Sequence, residues 1–175
     1  MKILSFDLEL NQDPSGAKII EIGACIGETS TSEVLEVFSV FVNPKQKLTE
    51  EIMTLTSITQ ADVDNAGGIE EAYLGLRMLA ARHDCETMPL VWGLGDGHAL
   101  RKELPTHEKW VFGRRELDVK AVFQAYQMAK GQKVQAGLAK AMTKLDLNFK
   151  GRKHRANDDA VNTFIIYCEL LNRFQ

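Results

Sequence analysis

The sequence predicts an α/β domain of three layers, in which helices flank a mixed sheet. Three observations carry this. Apolar runs rich in Val, Ile and Phe follow one another at 3–10, 19–26 and 34–42, separated by turn-prone residues at 11–16 and 27–32. From Ile69 onward apolar residues recur every three or four positions, the period of a helix. Between helical stretches, Met88 to Trp92 returns to strand character before Gly93. Hairpin strands followed by helices alternating with strands are the order of a mixed sheet covered on both faces.

The first three runs, joined by hairpin-length loops, are expected to form an antiparallel meander ending at Asn43-Pro44. After Gly67-Gly68, one helical face carries Ile69, Ala72, Tyr73, Leu76 and Leu79. Val111-Phe112 reads as a brief edge strand before a helix with Val119, Val122, Phe123 and Tyr126, which stops at Gly131. Leu138, Ala141, Met142 and Leu145 mark a further helix. The last helix carries Val161, Phe164, Ile165, Cys168 and Leu171, with Asn157 as expected N-cap and Asp158-Asp159 in a first turn that favours negative charge. No repeat or low-complexity linker interrupts the 175 residues, so a single domain over 1–175 is expected, long enough to enclose a full core.

An apolar fraction of 45% and a charged fraction of 26% are those of an ordinary soluble protein, and no apolar run approaches the roughly 20 residues of a membrane span. The start of the chain, Met1 to Asp7, places an acid where a signal peptide has its apolar stretch, and reads as a first strand. Cys25, Cys85 and Cys168 are an odd count without metal-ligand spacing, two of them inside apolar runs. Buried thiols in a reducing, cytoplasmic setting are expected. A net charge of −3 argues mildly against a nucleic-acid binder, but a local basic strip can outweigh it. Function therefore rests on motifs.

Asp7-Leu8-Glu9 lies in the first strand, where side chains two apart share a face. Two adjacent carboxylates in an apolar segment raise each other's pKa; a divalent cation turns that repulsion into a ligand set, while the polar face of an exposed edge strand is the plainer reading. Asp96 follows Gly93-Leu94-Gly95 and stands either as a helix N-cap or as a ligand. His154 ends a basic loop and Asp159 opens the last helix. Singly, they read as a solvated loop residue and a charge favourable to the helix dipole.

In combination these segments resemble the DEDDh branch of the 3′–5′ exonucleases. Ser5-Phe6-Asp7-Leu8-Glu9 resembles the family's first motif, Ile19-Ile20-Glu21-Ile22-Gly23-Ala24 its second strand, and Asp96 its middle aspartate. His154, Ala156 and Asp159 resemble its His-x-Ala-x-x-Asp motif. The resemblance runs from Ile3 to about Leu171, and it implies a ribonuclease-H-like fold with a sheet of about five strands. The Trp92-Gly93 pair and the run from Gly151 to Ala156 look most like the branch that trims RNA 3′ ends. Leu10-Asn11 stand where small hydroxylic residues often follow the glutamate. Leu55-Thr56-Ser57-Ile58 replaces the family's Leu-x-Gly-Ile, with serine at the glycine position.

The resemblance implies phosphodiester hydrolysis at free 3′ ends of single-stranded RNA or DNA, releasing 5′-mononucleotides. Two divalent cations are implied, about 3.5–4 Å apart. Mg²⁺ or Mn²⁺ suits hard oxygen ligands, and the lack of a Cys/His cluster argues against zinc. Asp7 would bridge the cations, Glu9 and Asp159 would complete one site, Asp96 would serve the other, and His154 would be the general base. Arg152, Lys153 and Arg155, with Lys150, are candidate phosphate contacts or a solvated loop. Leu8, Leu10, Leu55 and Ile58 are candidate contacts to the terminal nucleotide, and Leu55 and Ile58 equally suit a helix core. Ser57 is a candidate for the ribose 2′-OH. Asp158 reads as a helix-start charge, and His83, His98 and His107 as surface residues. The expected partner is nucleic acid, with no membrane. Two rival functions are a non-catalytic binding module on the same fold and a nuclease that works only within a larger complex; the first would be expected to lack one of the five chemical residues.

Overall fold

Alternation along the first strand decides how the sheet is covered. The computed structural model describes residues 1–85 and 88–174. In it β1 runs over Lys2–Asp13, β2 over Gly16–Glu28 and β3 over Glu33–Phe41, paired antiparallel in sequence. Leu4, Phe6 and Leu8 of β1 join Ile22, Ala24 and Ile26 of β2 in one core, closed by Tyr73, Leu76 and Leu79 of α3 (Ile69–His83). Ile3 and Cys25, on the other face, join a second core. That core draws on α5 (Val119–Ala129), α6 (Leu138–Lys144) and α7 (Ala156–Phe174). Both faces of the sheet are thus covered by helices, which makes three layers.

β4 (Leu90–Val91) pairs parallel with β1, and β5 (Leu117–Asp118) parallel with β4. The sheet is five-stranded and mixed, in the order β3-β2-β1-β4-β5. Two helical turns follow β3: α1 (Glu50–Thr56), capped by the Thr49 side chain, and α2 (Gln60–Asp64), held by a Thr59–Asp62 capping box. Ile52, Ile58 and Val63 seat both on Ile20 and Leu48.

Three expectations are corrected. The β1–β2 connection is the tight turn Pro14-Ser15, with Asp13 opposite Gly16, because the turn-prone residues 11–13 still pair through their backbones with residues 16–18. The edge strand is Leu117–Asp118, not Val111-Phe112. Phe112 is 1% exposed and packs against Phe6, Tyr73 and Trp110 at ring-centroid distances of 6.4, 6.2 and 5.2 Å. Its apolar surface covers the sheet instead of extending it. α7 begins at Ala156, so Asn157 lies inside the helix; its amide donates to Asp158 Oδ1 at 3.0 Å. The strand expected within Met88 to Trp92 forms, over Leu90–Val91.

Candidate active site

Asp7 and Glu9 occupy the β1 face that looks toward α7. The backbone of α7 lies directly on β2 there: a Cβ added to Gly23 would fall 1.9 Å from Asn157 N and 2.0 Å from Ala156 C. Only glycine permits that approach, and it carries Asp159, in the first turn of α7, up to the two strand acids. Asp96 arrives from the other side of β1, at the start of α4 (Asp96–Glu103). Gly93 and Gly95 turn β4 into this helix with φ of 89° and 144°, which side chains disfavour. Asp118 steadies the turn by accepting from Gly93 N at 3.0 Å while it caps α5.

Four carboxylates therefore meet over the middle of β1, beside the carboxyl end of β4. Burial raises Asp7 well above the usual carboxylate range, and Asp96, Asp159, Glu9 and Glu21 raise it further. Burial, then Asp159, Glu21 and Asp96, push Glu9 up to about 8. Burial, then Glu116, pushes Asp96 up to about 7. Asp159 is pushed up to about 6, chiefly by burial and against a hydrogen bond from the His154 backbone. Acids so crowded resist ionising together unless a cation lies among them. Asp159 Oδ1 is buried and has no hydrogen-bond partner among the described residues. Glu9, His154 and Asp159 each offer one ligand atom, all within 4.8 Å of one another. An orphaned buried oxygen amid hard oxygen donors fits a divalent cation of the Mg²⁺ or Mn²⁺ type.

The loop before α7 presents His154, exposed and at φ 60°. Non-glycine residues seldom take that conformation, so the loop must be held from outside. Asp158 Oδ2 accepts from Arg152 N at 2.7 Å, and its carboxylate fills the space where a Gly151 Cβ would sit. Asn162 bonds both the N–H and the carbonyl of Lys150. Glu21, fully buried in β2, accepts from Arg155, from Ala156 N at 3.1 Å and from the Ser39 hydroxyl at 2.9 Å. Sequence reasoning assigned no role to Glu21, Asn162 or Glu116. For Glu21 the available signal was an acid inside the otherwise apolar run Ile19–Ile26.

Leu8, Leu10 and Leu55 line a cavity of about 340 Å³ beside Glu9. Ser57 ends α1 with φ 59°, the left-handed conformation that a glycine adopts without strain, and its hydroxyl accepts from Arg152. Lys153 lines a second cavity with His154 and Asp159. Two candidate contacts are corrected. Ile58 is 1% exposed within the α1–α2 core and faces no open surface. The guanidinium of Arg155 is engaged by Glu21 and lies over the Phe41 ring, so it is not a free phosphate contact. His98 lines a separate cavity with Leu10 and Lys18, while His83 faces Glu36 and His107 faces Glu70.

A ribonuclease-H-like sheet with four acids and a histidine gathered over β1 defines a class of cation-dependent nucleases. Residues 4–167 match the exonuclease family RNase_T, and the chain belongs to that family. Human ERI1 exoribonuclease 2 is 26% identical over 185 residues, spanning 88% of this chain but only 25% of that protein. The probable 3′-5′ exonuclease KapD of Bacillus subtilis (strain 168) is 28% identical over 153 residues, spanning 86% of this chain and 71% of that one. The nuclease domain of 3′hExo, a DEDDh family member bound to rAMP, superposes with a TM-score of 0.82. It covers 98% of this chain and 92% of that one at 21% identity, a likeness of fold. The chain spans about a quarter of the human relative's length.

Proposed function

We propose that this chain hydrolyses nucleic acid from free 3′ ends of single strands, releasing 5′-mononucleotides. The observation that carries the reading is the meeting of Asp7, Glu9, Asp96 and Asp159, with Asp159 Oδ1 buried and unpartnered and a histidine beside it. Asp7, Glu9, Asp159 and Asp96 would hold two divalent cations. When bound, these neutralise charge at the phosphoryl group, lower the pKa of the attacking water and stabilise the leaving oxygen. His154 accepts the water's proton at a ring nitrogen, and exposure leaves the ring open to solvent. Lys153 and Arg152 meet the phosphate without reading base identity. Leu8, Leu10 and Leu55 offer an apolar wall to the terminal nucleoside.

Single-stranded ends are favoured because the terminal phosphate must reach acids held over the sheet, and a paired end would first fray at a cost of a few kcal/mol. RNA is favoured modestly over DNA. The Trp92-Gly93 and Gly151–Ala156 segments support that preference, as do a human relative named an exoribonuclease and the neighbour bound to rAMP. Ser57, exposed at the end of α1, is the candidate for the 2′-OH. Three buried, unpaired thiols suit an intracellular location. The test is kcat/KM on matched RNA and DNA oligonucleotides, single-stranded and blunt duplex, with Mg²⁺ or Mn²⁺ and with EDTA. Cation-dependent release of 5′-mononucleotides from the single strands is expected. Turnover in EDTA or no release from any 3′ end would refute the reading, and faster duplex digestion would refute the strand preference.

A further inference from the structure

The carboxylate cluster opens in two directions of opposite charge. Toward α1, the cavity that holds Leu8, Leu10 and Leu55 also carries Glu9 and Glu51, and a neighbouring one carries Glu50 and Glu51. A polyanion leaving by that side meets carboxylates. Toward α6, the cavity of about 300 Å³ with Lys153, His154 and Asp159 shares Gly137 and Lys140 with a further cavity of about 550 Å³. Lys120, Gln124 and Gln135 complete that larger cavity, and among the described residues no acidic side chain lines it. The two form one continuous groove leading away from the acids.

Its lysines are available. Among the described residues neither Lys120 nor Lys140 has an ion-pair partner. Lys120 also lies against the glycine turn that presents Asp96: a Cβ on Gly93 would be 3.6 Å from its Cδ. The groove thus borders both the His154 side and the Asp96 side of the cluster. Phe149 and Leu138 line the connecting stretch and offer an apolar surface between the cations. Cations spaced along a groove with an aromatic wall suit a single strand, whose phosphates and bases need different partners.

We infer that this groove is a second binding site, for the nucleotides on the 5′ side of the scissile bond. Lys140 and Lys120 meet successive backbone phosphates there, and Gln124 and Gln135 bond phosphate or sugar oxygens. The inference rests on the exonuclease reading and adds a direction: the terminal nucleoside lies toward α1, and the remaining strand leaves across the start of α6 and α5. Substrate length therefore matters, because a dinucleotide ends before the groove and an octanucleotide fills it.

The test pairs Lys120→Gln/Lys140→Gln with Lys2→Gln/Lys130→Gln, which removes the same charge elsewhere; Lys2 lies five residues before Asp7, about 17 Å along β1. The binding probe is a 5′-fluorescein single-stranded octanucleotide with a hydrolysis-resistant 3′-terminal phosphorothioate linkage, read by anisotropy in Mg²⁺. The groove variant is expected to raise Kd about tenfold and to reduce the slope of log affinity on log salt by about 1.4, two phosphate contacts at roughly 0.7 each. The ratio of kcat/KM on octanucleotide to that on dinucleotide should fall about as much. Unchanged Kd and slope, or an equal response from the Lys2/Lys130 variant, overturns the groove. If the wild-type chain hydrolyses neither oligonucleotide, the exonuclease reading fails instead, and the anisotropy result still decides the groove.

Discussion

Arg155 places its guanidinium on the carboxylate of Glu21, with Nη2 2.8 Å from Oε1 and Nε 3.2 Å from both oxygens. Glu21 is fully buried in β2, whereas Arg155 directly follows His154. The pair ties the histidine loop to the sheet that carries Asp7 and Glu9. Its same carboxylate accepts from Ala156 N, the first residue of α7. One buried acid thus sets both the loop and the helix that bring His154 and Asp159 to the site.

Removing that acid should cost stability and activity together. Glu21→Ala leaves the Arg155 charge and the Ala156 N–H without their partner, and a loss on the order of 3 kcal/mol is expected. Urea unfolding should show a lower midpoint with an unchanged m-value. A midpoint equal to that of the wild type would mean that the pair contributes nothing to the fold.

Gly23→Ala tests the close approach of α7 to β2. The added methyl would meet backbone atoms of Ala156 and Asn157 at about 2 Å, and backbone cannot step aside as a side chain can. Overpacking of this kind costs about 1–3 kcal/mol or more. Turnover should drop further than stability alone explains, because the displaced helix carries Asp159. A fully active, equally stable variant would contradict this packing.

The raised acids predict how pH and cation act on stability. Glu9, Asp96 and Asp159 titrate near 8, 7 and 6 in the folded chain, whereas unfolded carboxyls titrate near 4. Between those limits the folded state holds more protons than the unfolded one. The stability this contributes is complete below about pH 4 and is lost as pH rises through 6, 7 and 8. A divalent cation replaces protons on the same oxygens. In EDTA, Tm should fall between about pH 5 and pH 8.5, and the rise on adding Mn²⁺ should be larger at the higher pH. Equal increments at both pH values would place cation binding elsewhere.

His154→Ala and Asp7→Asn separate the base from the ligands. The first should lower kcat by roughly 10²–10⁴-fold, the usual effect of a lost general base, and should retain cation binding by calorimetry. The second should abolish turnover and weaken cation binding, yet raise Tm in EDTA, because one of the mutually repelling buried acids becomes neutral. Loss of cation affinity in His154→Ala would make this histidine a ligand, a role within reach of its position beside Glu9 and Asp159.

Much of this was written locally. The β1 to β3 meander, the faces of α3, α5, α6 and α7, and the shared face of Asp7 and Glu9 follow from periods of two and 3.6 residues, which depend only on neighbours in the chain. Asp96, His154 and Asp159 were legible through the pattern of a family, not through their surroundings. What the chain order could not express was which residues separated by a hundred positions share one burial. Phe112 and Leu117 are both apolar enough to form an edge strand, and only packing against Phe6, Tyr73 and Trp110 withdraws Phe112 from that role. Arg155 belongs to a basic loop in sequence, and only its meeting with Glu21 removes it from the phosphate contacts. Ile58 sits beside the exposed Ser57, and only the α1–α2 core turns its side chain inward. The kinds of element could be read along the chain, because propensity and periodicity are short-range. The tertiary structure alone decided which charges are paired and which stand free, because burial and ion pairing act between residues that only folding brings together.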